Sequence, residues 1–382
     1  MLAALLLCLA ACSPAPQEPE GETPATARPV AIPDETALPE SGPGPEETPL
    51  PESSPEPITP DNCDHRAGFG ADGSCLRCGW TCPHLQHDPE KLTCTVCGAR
   101  QAHHFGMDLV CGGCGMEAPL ATERLDGEWF APAERQGQCL EETLTDGEGR
   151  EHGIAVWLPW DYDPAGRYNV LLLIHGDAGR CTDWTDRAHP TALGEIRFSD
   201  LYDRVSQQRL CEPFMVVGLE NRGMENPERG DALIRETVLP YLAEHYATWM
   251  EGSAPDQLRA ARDHLAIGGL SRGSMYAYSV GMARCLDLAS NFCCFSNGYQ
   301  PELARLLEEE ELQTLPIQSY LATVGLRDNA EYVRAHQQHY QILCRNVARL
   351  EDGGNARLLE IDEGHDYLMW SASLYDALLL MF

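Results

Sequence analysis

The chain has 382 residues and a formal net charge of −32 at pH 7, and Lys91 is its only lysine. Proteins that bind nucleic acids draw their affinity from clustered cations, so this charge excludes a nucleic-acid partner. The length allows two or three domains, including one with a large core.

The first twelve residues form a leucine- and alanine-rich segment that ends at Cys12. Its apolar run is too short to cross a bilayer, which takes about 20 residues in a helix, so we interpret it as a secretory leader. Leu9-Ala10-Ala11-Cys12 resembles the lipobox of bacterial lipoproteins. The resemblance implies that Cys12 is lipidated and holds an exported protein on the membrane at the cell surface. In the alternative, the leader is cleaved to release a free protein and Cys12 has no role.

Residues 13–61 are dominated by proline and glutamate and contain almost no aromatic residues. Such a segment cannot bury enough apolar surface to offset its conformational entropy. The composition therefore predicts a disordered, acidic stalk between the leader and the rest of the chain.

Cysteine and histidine recur at a fixed spacing between residues 62 and 118. A Cys-x-His pair is followed by a Cys-x-x-Cys-Gly turn, twelve positions after the first cysteine, and this unit occurs twice. Such a turn places two thiolates on one ion, since glycine lets the backbone fold around the metal. Each unit predicts a closed, structural Zn²⁺ site. The ligands are Cys63, His65, Cys75 and Cys78 in one unit and Cys82, His84, Cys94 and Cys97 in the other.

A third copy of the unit is less complete, because Gln101 occupies the position of its leading cysteine. The rival interpretation of all three units is a set of disulfides, which an exported protein would favour. The histidines at matched positions favour zinc, because disulfides have no use for them. The pairing of ligands between neighbouring units stays open, and so does the partner of this zinc-ribbon-like segment. The candidate ligands of the third copy are His103, His104, Cys111 and Cys114.

From about residue 138 onward, apolar runs of strand length alternate with segments of helix length. Runs that are apolar throughout suit strands buried on both faces, and their alternation with helices predicts a mostly parallel sheet covered on both sides. The predicted strands are residues 153–159, 169–174, 214–219, 264–268, 292–295, 319–324 and 357–361. The predicted helices include residues 231–249, 273–286 and 329–350.

Chemically reactive residues follow four of these strands. Ser271 lies in the turn Gly269-Leu-Ser-Arg-Gly273, and a loop with the sequence His-Gly-Asp-Ala-Gly begins at His175. Asp328 and His365 follow two later strands. Reactive residues gather at the carboxyl ends of parallel strands, and the order Ser, Asp, His is that of an α/β-hydrolase triad. The histidine would take the serine proton while the carboxylate holds the imidazole in the right tautomer.

Several separated segments resemble the esterase D and feruloyl or acetyl-xylan esterase group of α/β-hydrolases: residues 168–176, 236–246 and 364–370, and the Ser271 turn. The resemblance covers roughly residues 138–382. It implies an α/β-hydrolase sheet and hydrolysis of esters, often on decorated plant polysaccharides, with no cofactor in the chemistry. It also implies roles for Ser271 as nucleophile, Asp328 as acid and His365 as base. The oxyanion would be bound by the backbone N–H of Arg272 and that of Asp177 or Ala178.

The sequence departs from this group at Arg272, where such turns usually carry a small or thioether residue, and at Asn297. The resemblance therefore does not fix the substrate. Aromatic residues near the motifs could stack on a sugar or a phenolic ring, although such residues more often pack in the core. They are Trp160, Tyr162, Trp184, Tyr299 and Trp370.

Together these features predict a leader at 1–12, a disordered linker at 13–61, tandem zinc-ribbon-like repeats at 62–118 and an esterase domain at 119–382. We expect a serine esterase acting on carbohydrate-linked feruloyl or acetyl esters. The rival hypothesis is a surface adhesion lipoprotein, in which the zinc segment binds the partner and the hydrolase domain is a catalytically silent scaffold. Arg272 motivates the rival, because a salt bridge from it could block the pocket.

Overall fold

The computed structural model describes residues 87–88, 93–94, 102–113, 115–296 and 298–382. Among these residues, no helix has both the length and the apolar character that crossing a membrane requires. Two short antiparallel pairs lie outside the main sheet: β1 (His87–Asp88) with β2 (Thr93–Cys94), and β6 (His189–Thr191) with β7 (Gly194–Ile196).

Eight strands form the main sheet in the order β12-β11-β10-β9-β5-β8-β4-β3. The six strands from β12 to β8 in this order are parallel, whereas β4 runs antiparallel to both β8 and β3. The strands are β3 (Gln138–Thr145), β4 (Glu151–Leu158), β5 (Asn169–Ile174), β8 (Phe214–Leu219), β9 (Leu265–Leu270), β10 (Asn291–Phe295), β11 (Ser319–Gly325) and β12 (Ala356–Ile361).

Helices cover both faces of this sheet. Two of them contain a π-helical segment: Leu233–Val238 lies between α2 and α3, and Ala277–Met282 follows α5. The helices are α1 (Phe198–Gln208), α2 (Pro227–Ala232), α3 (Leu239–His245), α4 (Pro255–Ala260), α5 (Arg272–Tyr276), α6 (Leu303–Leu307), α7 (Ala330–Asn346) and α8 (Tyr367–Met381).

The central strands are buried on both faces, as their continuous apolar sequence predicts. In β5, Val170 and Leu172 belong to one buried cluster with residues of α3 and α7, whereas Leu171 and Leu173 belong to another with residues of α1 and α8. Successive side chains of a strand point to opposite faces, so these two clusters are the cores above and below the sheet.

The described residues of the segment 103–125 pack against the second of these cores. Phe105 and Met107 lie in the same buried cluster as Trp157 of β4, and the Arg357 guanidinium donates to the Met107 carbonyl at 2.7 Å. Farther along, the Thr122 carbonyl accepts from the backbone N–H of Asp362, just past the end of β12. This segment therefore runs along one face of the sheet towards the edge where the parallel strands end.

Candidate active site

Ser271 lies in the tight turn between β9 and α5, at the carboxyl end of a central strand. Its backbone has φ 52° and ψ −116°, a region that residues with a side chain rarely adopt. Such a strained backbone conformation persists only where the surrounding structure enforces it, and strained residues of this kind concentrate at functional sites. The turn lifts the serine hydroxyl above the sheet edge.

The two glycines of this turn are required by close backbone packing. A Cβ atom on Gly269 would lie 2.7 Å from the Ile174 carbonyl oxygen, and one on Gly273 would overlap the same oxygen. No ordinary side-chain carbon fits at such distances. The glycines therefore let the turn pack directly against the end of β5.

His365 and Asp328 complete a hydrogen-bonded chain with this serine. Nε2 of His365 lies 3.0 Å from Oγ of Ser271, and Nδ1 of His365 lies 2.7 Å from Oδ2 of Asp328. Asp328 follows β11 and its side chain is only 3% exposed, whereas that of His365, which follows β12, is 30% exposed. The structure thus brings together three residues that are 37 to 94 positions apart in the sequence.

The loop after β5 places Asp177 and Ala178 beside the serine turn. A Cβ atom on Gly176 would lie 3.4 Å from Cβ of Ser271. Ala178 has φ 56° and lies inside a turn that Gly179 closes by donating its backbone N–H to the Gly176 carbonyl. The neighbouring N–H groups of Asp177 and Ala178, together with that of Arg272 at the start of α5, are the candidate oxyanion donors.

Two residues that the sequence analysis does not identify hold this loop in place. The side-chain amide of Asn221, just past β8, donates to the carbonyls of His175 and Gly176 at 3.2 and 3.0 Å. Glu220 accepts from the backbone N–H of Cys181 at 3.1 Å, and its other oxygen lies 3.3 Å from Nε2 of His175. The hydrogen bond with His175 lowers the pKa of Glu220 to about 2. In the sequence, only the position of Glu220 and Asn221 directly after the predicted strand 214–219 indicates that they lie near the site.

Arg272 pairs with Asp177 across the mouth of the site. The guanidinium Nε contacts Oδ1, and Nη2 donates to Oδ2 at 2.9 Å. This hydrogen-bonded pairing raises the pKa of Arg272 above its already high ordinary value. The two side chains remain 48% and 67% exposed, so the pair joins the serine turn to the loop after β5 at the surface.

The aromatic candidates separate into different regions. Trp184 is fully buried, and Trp370 is nearly so, with its indole N–H donating to Oγ of Ser296. Trp160 and Tyr162 follow the end of β4. Because β4 is antiparallel to β8, they lie where the parallel strands begin, whereas Ser271 lies where those strands end. Tyr299 alone of the five is strongly exposed near the ends of the parallel strands.

Large exposed apolar side chains follow Ser271 and the ends of the strands next to it. Tyr299 follows β10, Leu326 follows β11 and Tyr332 lies in the first turn of α7, where its ring centroid is 6.0 Å from that of His365. Met275 adds a fourth, from α5. We call these four side chains the apolar rim; they are 39–48% exposed.

The candidate zinc ligands fall mostly outside the described part of the chain. His103 is buried with its ring stacked on Phe105, whereas the more exposed His104 lies 3.9 Å from Glu212. Within the described residues, no three His, Cys, Asp or Glu side chains form a group suited to a metal ion. The described residues do not include Cys12, Cys63, His65, Cys75, Cys78, Cys82, His84, Cys97 or Cys114, nor the side chain of Cys94.

Comparisons with known proteins agree on the fold. A mutant of the feruloyl esterase module from Clostridium thermocellum, complexed with sinapinate, matches with a TM-score of 0.60 and 22% identity, over 69% of this chain and 94% of that one. The chain has the α/β-hydrolase fold of such esterase modules. A ferulic acid esterase from the fungus Anaeromyces mucronatus gives a TM-score of 0.50 and 17% identity, over 68% of this chain and 96% of that one. The predicted mostly parallel sheet with helices on both faces is thereby confirmed.

Sequence comparison adds a curated relative. Endo-1,4-beta-xylanase Y of Acetivibrio thermocellus is 27% identical over 172 residues, which is 45% of this chain. The match spans only 15% of that relative's length. No family model matches the chain.

Proposed function

We propose that this protein is a serine esterase that hydrolyses carboxylic esters through an acyl-enzyme. The observation that carries the proposal is the hydrogen-bonded chain from Oγ of Ser271 through His365 to Asp328. A serine hydroxyl is a poor nucleophile near pH 7, and a histidine within hydrogen-bonding distance makes it competent by accepting its proton. The buried Asp328 carboxylate holds the imidazole and stabilises the imidazolium that forms.

The reaction proceeds in two halves. Oγ of Ser271 attacks the ester carbonyl carbon while Nε2 of His365 takes the hydroxyl proton, and the carbonyl oxygen becomes an oxyanion. The backbone N–H of Arg272 and that of Asp177 or Ala178 stabilise this charge. Collapse of the intermediate expels the alcohol, which receives the proton from His365. A water molecule then attacks the acyl-enzyme carbonyl while His365 takes its proton, and collapse of the second intermediate releases the acid as His365 returns that proton to Oγ of Ser271, without any cofactor.

We infer that the esters are attached to carbohydrate, with a feruloyl or acetyl group as the acyl part. Two observations support this inference: two of the similar structures are a feruloyl esterase module and a ferulic acid esterase, and a curated relative is a xylanase. The apolar rim beside His365 suits an aromatic acyl group.

Hydrolysis of a chromogenic acetate ester tests the proposal. Wild type should turn the ester over, and Ser271→Ala should lower kcat by about 10⁴-fold or more. Ser253→Ala, in the loop before α4, is the matched control and should retain the wild-type rate. Equal rates for wild type and Ser271→Ala would instead favour the rival hypothesis, in which the hydrolase domain is catalytically inactive and the zinc segment binds a partner.

We also propose that the cysteine-rich repeats hold structural zinc. Of the third copy, the backbone around Cys111 suits a metal turn: its carbonyl accepts from Gly115, which has φ 73°, and its N–H donates to Met116. His103, His104 and Cys114 would supply the other ligands. Zinc would replace the apolar core that so short a segment lacks. Elemental analysis should find two or three zinc ions per chain, and less than one would return the cysteines to disulfides.

We propose further that Cys12 is lipidated and that residues 13–61 act as a spacer between the membrane and the enzyme. The support is the similarity of residues 9–12 to a lipobox and the composition of the segment that follows. In a bacterial host, the wild-type protein should partition with membranes and Cys12→Ala should not. Equal partitioning of the two would contradict lipidation at this residue.

A further inference from the structure

A cleft of about 580 Å³ lies at the same edge of the sheet as Ser271, on the side away from the apolar rim. Its walls come from the turn between β3 and β4, the segment after β8 and helix α2. The volume falls within the range of small-molecule binding sites. Because Ile154 near the start of β4 pairs with Leu219 at the end of β8, the turn before β4 reaches the edge where the parallel strands end.

The cleft is connected to the candidate oxyanion loop through short contacts. Arg222, which lines it, directly follows Asn221, whose amide holds the Gly176 carbonyl. On its other side, Glu225 lies near Tyr276, which in turn bonds to Arg272 of the serine turn. A ligand in the cleft would therefore lie on the side of Ser271 that carries the candidate oxyanion loop.

Three arginines from three different elements line this cleft: Arg150, Arg222 and Arg229. Arg150 is paired with Asp146 at 2.8 Å. Within the described part of the chain, the guanidinium groups of Arg222 and Arg229 have no carboxylate partner and no hydrogen bond. Both residues are exposed. In a chain with a net charge of −32, two unpaired guanidinium groups in one concavity form a local site for an anion.

The other charged groups in the lining restrict the kind of anion. Glu151 and Glu225 also face the cleft. Two carboxylates repel a highly charged anion such as a polyphosphate, but they accept hydrogen bonds from hydroxyl groups. A guanidinium fork matches a carboxylate in geometry and charge. This mixed lining fits a ligand that carries one carboxylate and several hydroxyls, which is the chemistry of a uronic acid.

We propose that this arginine cleft binds the carboxylate of an acidic saccharide that forms the alcohol part of the ester substrate, an inference that rests on the proposed esterase function. In the sheet, β10–β12 lie on one side of β9, where Tyr299, Leu326 and Tyr332 of the apolar rim are placed. On the other side lie β5, β8 and β4, with the arginines. An ester with its carbonyl at Ser271 then places its acyl group on the rim and its uronate in the cleft.

Binding of a galacturonic acid trimer to the Ser271→Ala variant, measured by calorimetry, tests the cleft without requiring turnover. Its fully methyl-esterified form is the matched ligand, since it has the same sugars without charge. The acidic trimer should bind at least tenfold more tightly than the neutral one. Adding Arg222→Ala and Arg229→Ala should abolish this preference, whereas Arg345→Ala, an exposed arginine near the end of α7, should preserve it.

Equal affinity for the acidic and neutral trimers would overturn the proposal, and so would a preference that survives loss of both arginines. Tighter binding of inorganic pyrophosphate than of the acidic trimer would assign the cleft to a phosphate instead. A wild-type enzyme that hydrolyses the acetate ester but binds no acidic trimer removes this inference alone. The trimer could instead bind in a way that depends on the arginines while the protein hydrolyses no ester. That result would overturn the esterase function and the role of the saccharide as substrate, and it would leave only an acidic-saccharide binding site.

Discussion

Arg272 and Asp177 join the serine turn to the loop after β5 through a two-pronged ion pair. The two residues are 95 positions apart, and the backbone N–H of each is among the candidate oxyanion donors, with Ala178 as the alternative to Asp177. Their side chains therefore link the two backbone segments that carry the candidate oxyanion donors. An ion pair this exposed contributes little to folding stability, so its consequence lies in the geometry of the site.

Breaking this pair should lower catalysis without unfolding the protein. In Asp177→Ala we expect kcat for the acetate ester to fall about tenfold, a fraction of the effect of losing a complete oxyanion donor. Thermal unfolding should change little. Glu302→Ala, which breaks an exposed ion pair with Arg305 elsewhere, is the control and should leave kcat unchanged. A faster enzyme would contradict this view and show that the pair occludes the site.

Replacing Gly273 by alanine should disrupt the serine turn. The added Cβ would overlap the Ile174 carbonyl oxygen, so the end of β5 and the start of α5 would have to separate. We expect Gly273→Ala to lose at least about 2 kcal/mol of unfolding free energy and most of the activity. Gly127→Ala, whose new Cβ meets no atom within 4 Å, should remain close to wild type in both measurements. Equal denaturant midpoints for the two variants would refute the packing argument.

Asp328, and not Asp366, should act as the acid of the hydrogen-bonded chain. Asp366 follows His365 directly in sequence, but its carboxylate caps α8 by accepting from the backbone of Leu368 and Met369. We expect Asp328→Asn to reduce kcat by roughly 10²- to 10⁴-fold because the imidazole loses its orientation. Asp366→Asn should keep activity within about threefold, since asparagine caps equally well. The reverse order of rates would reassign the acid.

Buried His336 should make folding stability depend on pH. Burial lowers its pKa from 6.5 to about 3, so below pH 6.5 the unfolded chain takes up a proton that the folded protein excludes. Stability is therefore lost as the pH falls from about 6.5 towards 3, by about 1.4 kcal/mol per pH unit for this group. In His336→Leu, denaturation curves between pH 6.5 and 4 should show a shallower loss than in wild type. Gln338→Leu on the exposed side of α7 should keep the wild-type slope, and identical slopes in all three proteins would disprove the assignment.

The central strands were predictable because their whole sequence is apolar. Residues 169–174 and 214–219 form β5 and β8 with the predicted bounds, since a strand buried on both faces needs no polar alternation. The sequence does not predict the edge strand β3, because five of the eight residues of Gln138–Thr145 are polar and its pairing with β4 comes from the fold. Helix α8 escapes sequence prediction for the opposite reason, because Leu368 to Met381 is buried all round and has no amphipathic period.

The candidate site was predictable only where chemistry and strand ends coincide. Ser271, Asp328 and His365 each follow a recognisable strand and are reactive residue types, so topology alone predicts that they meet. Asn221 and the arginine cleft gave no comparable signal, because an amide or a guanidinium after a strand is common and its partner depends on the loops. The pairing of Arg272 with Asp177 likewise depends on how two loops pack.

Covalent labelling with a fluorophosphonate ester tests the central claim most directly. This reagent reacts with a serine whose hydroxyl is activated by a neighbouring histidine and whose developing charge is stabilised by an oxyanion site. We predict the addition of one equivalent per chain, mapped by peptide mass spectrometry to Ser271 and abolished in a folded His365→Ala variant. Absence of labelling in the folded wild-type protein, or labelling of a different serine, would contradict the account.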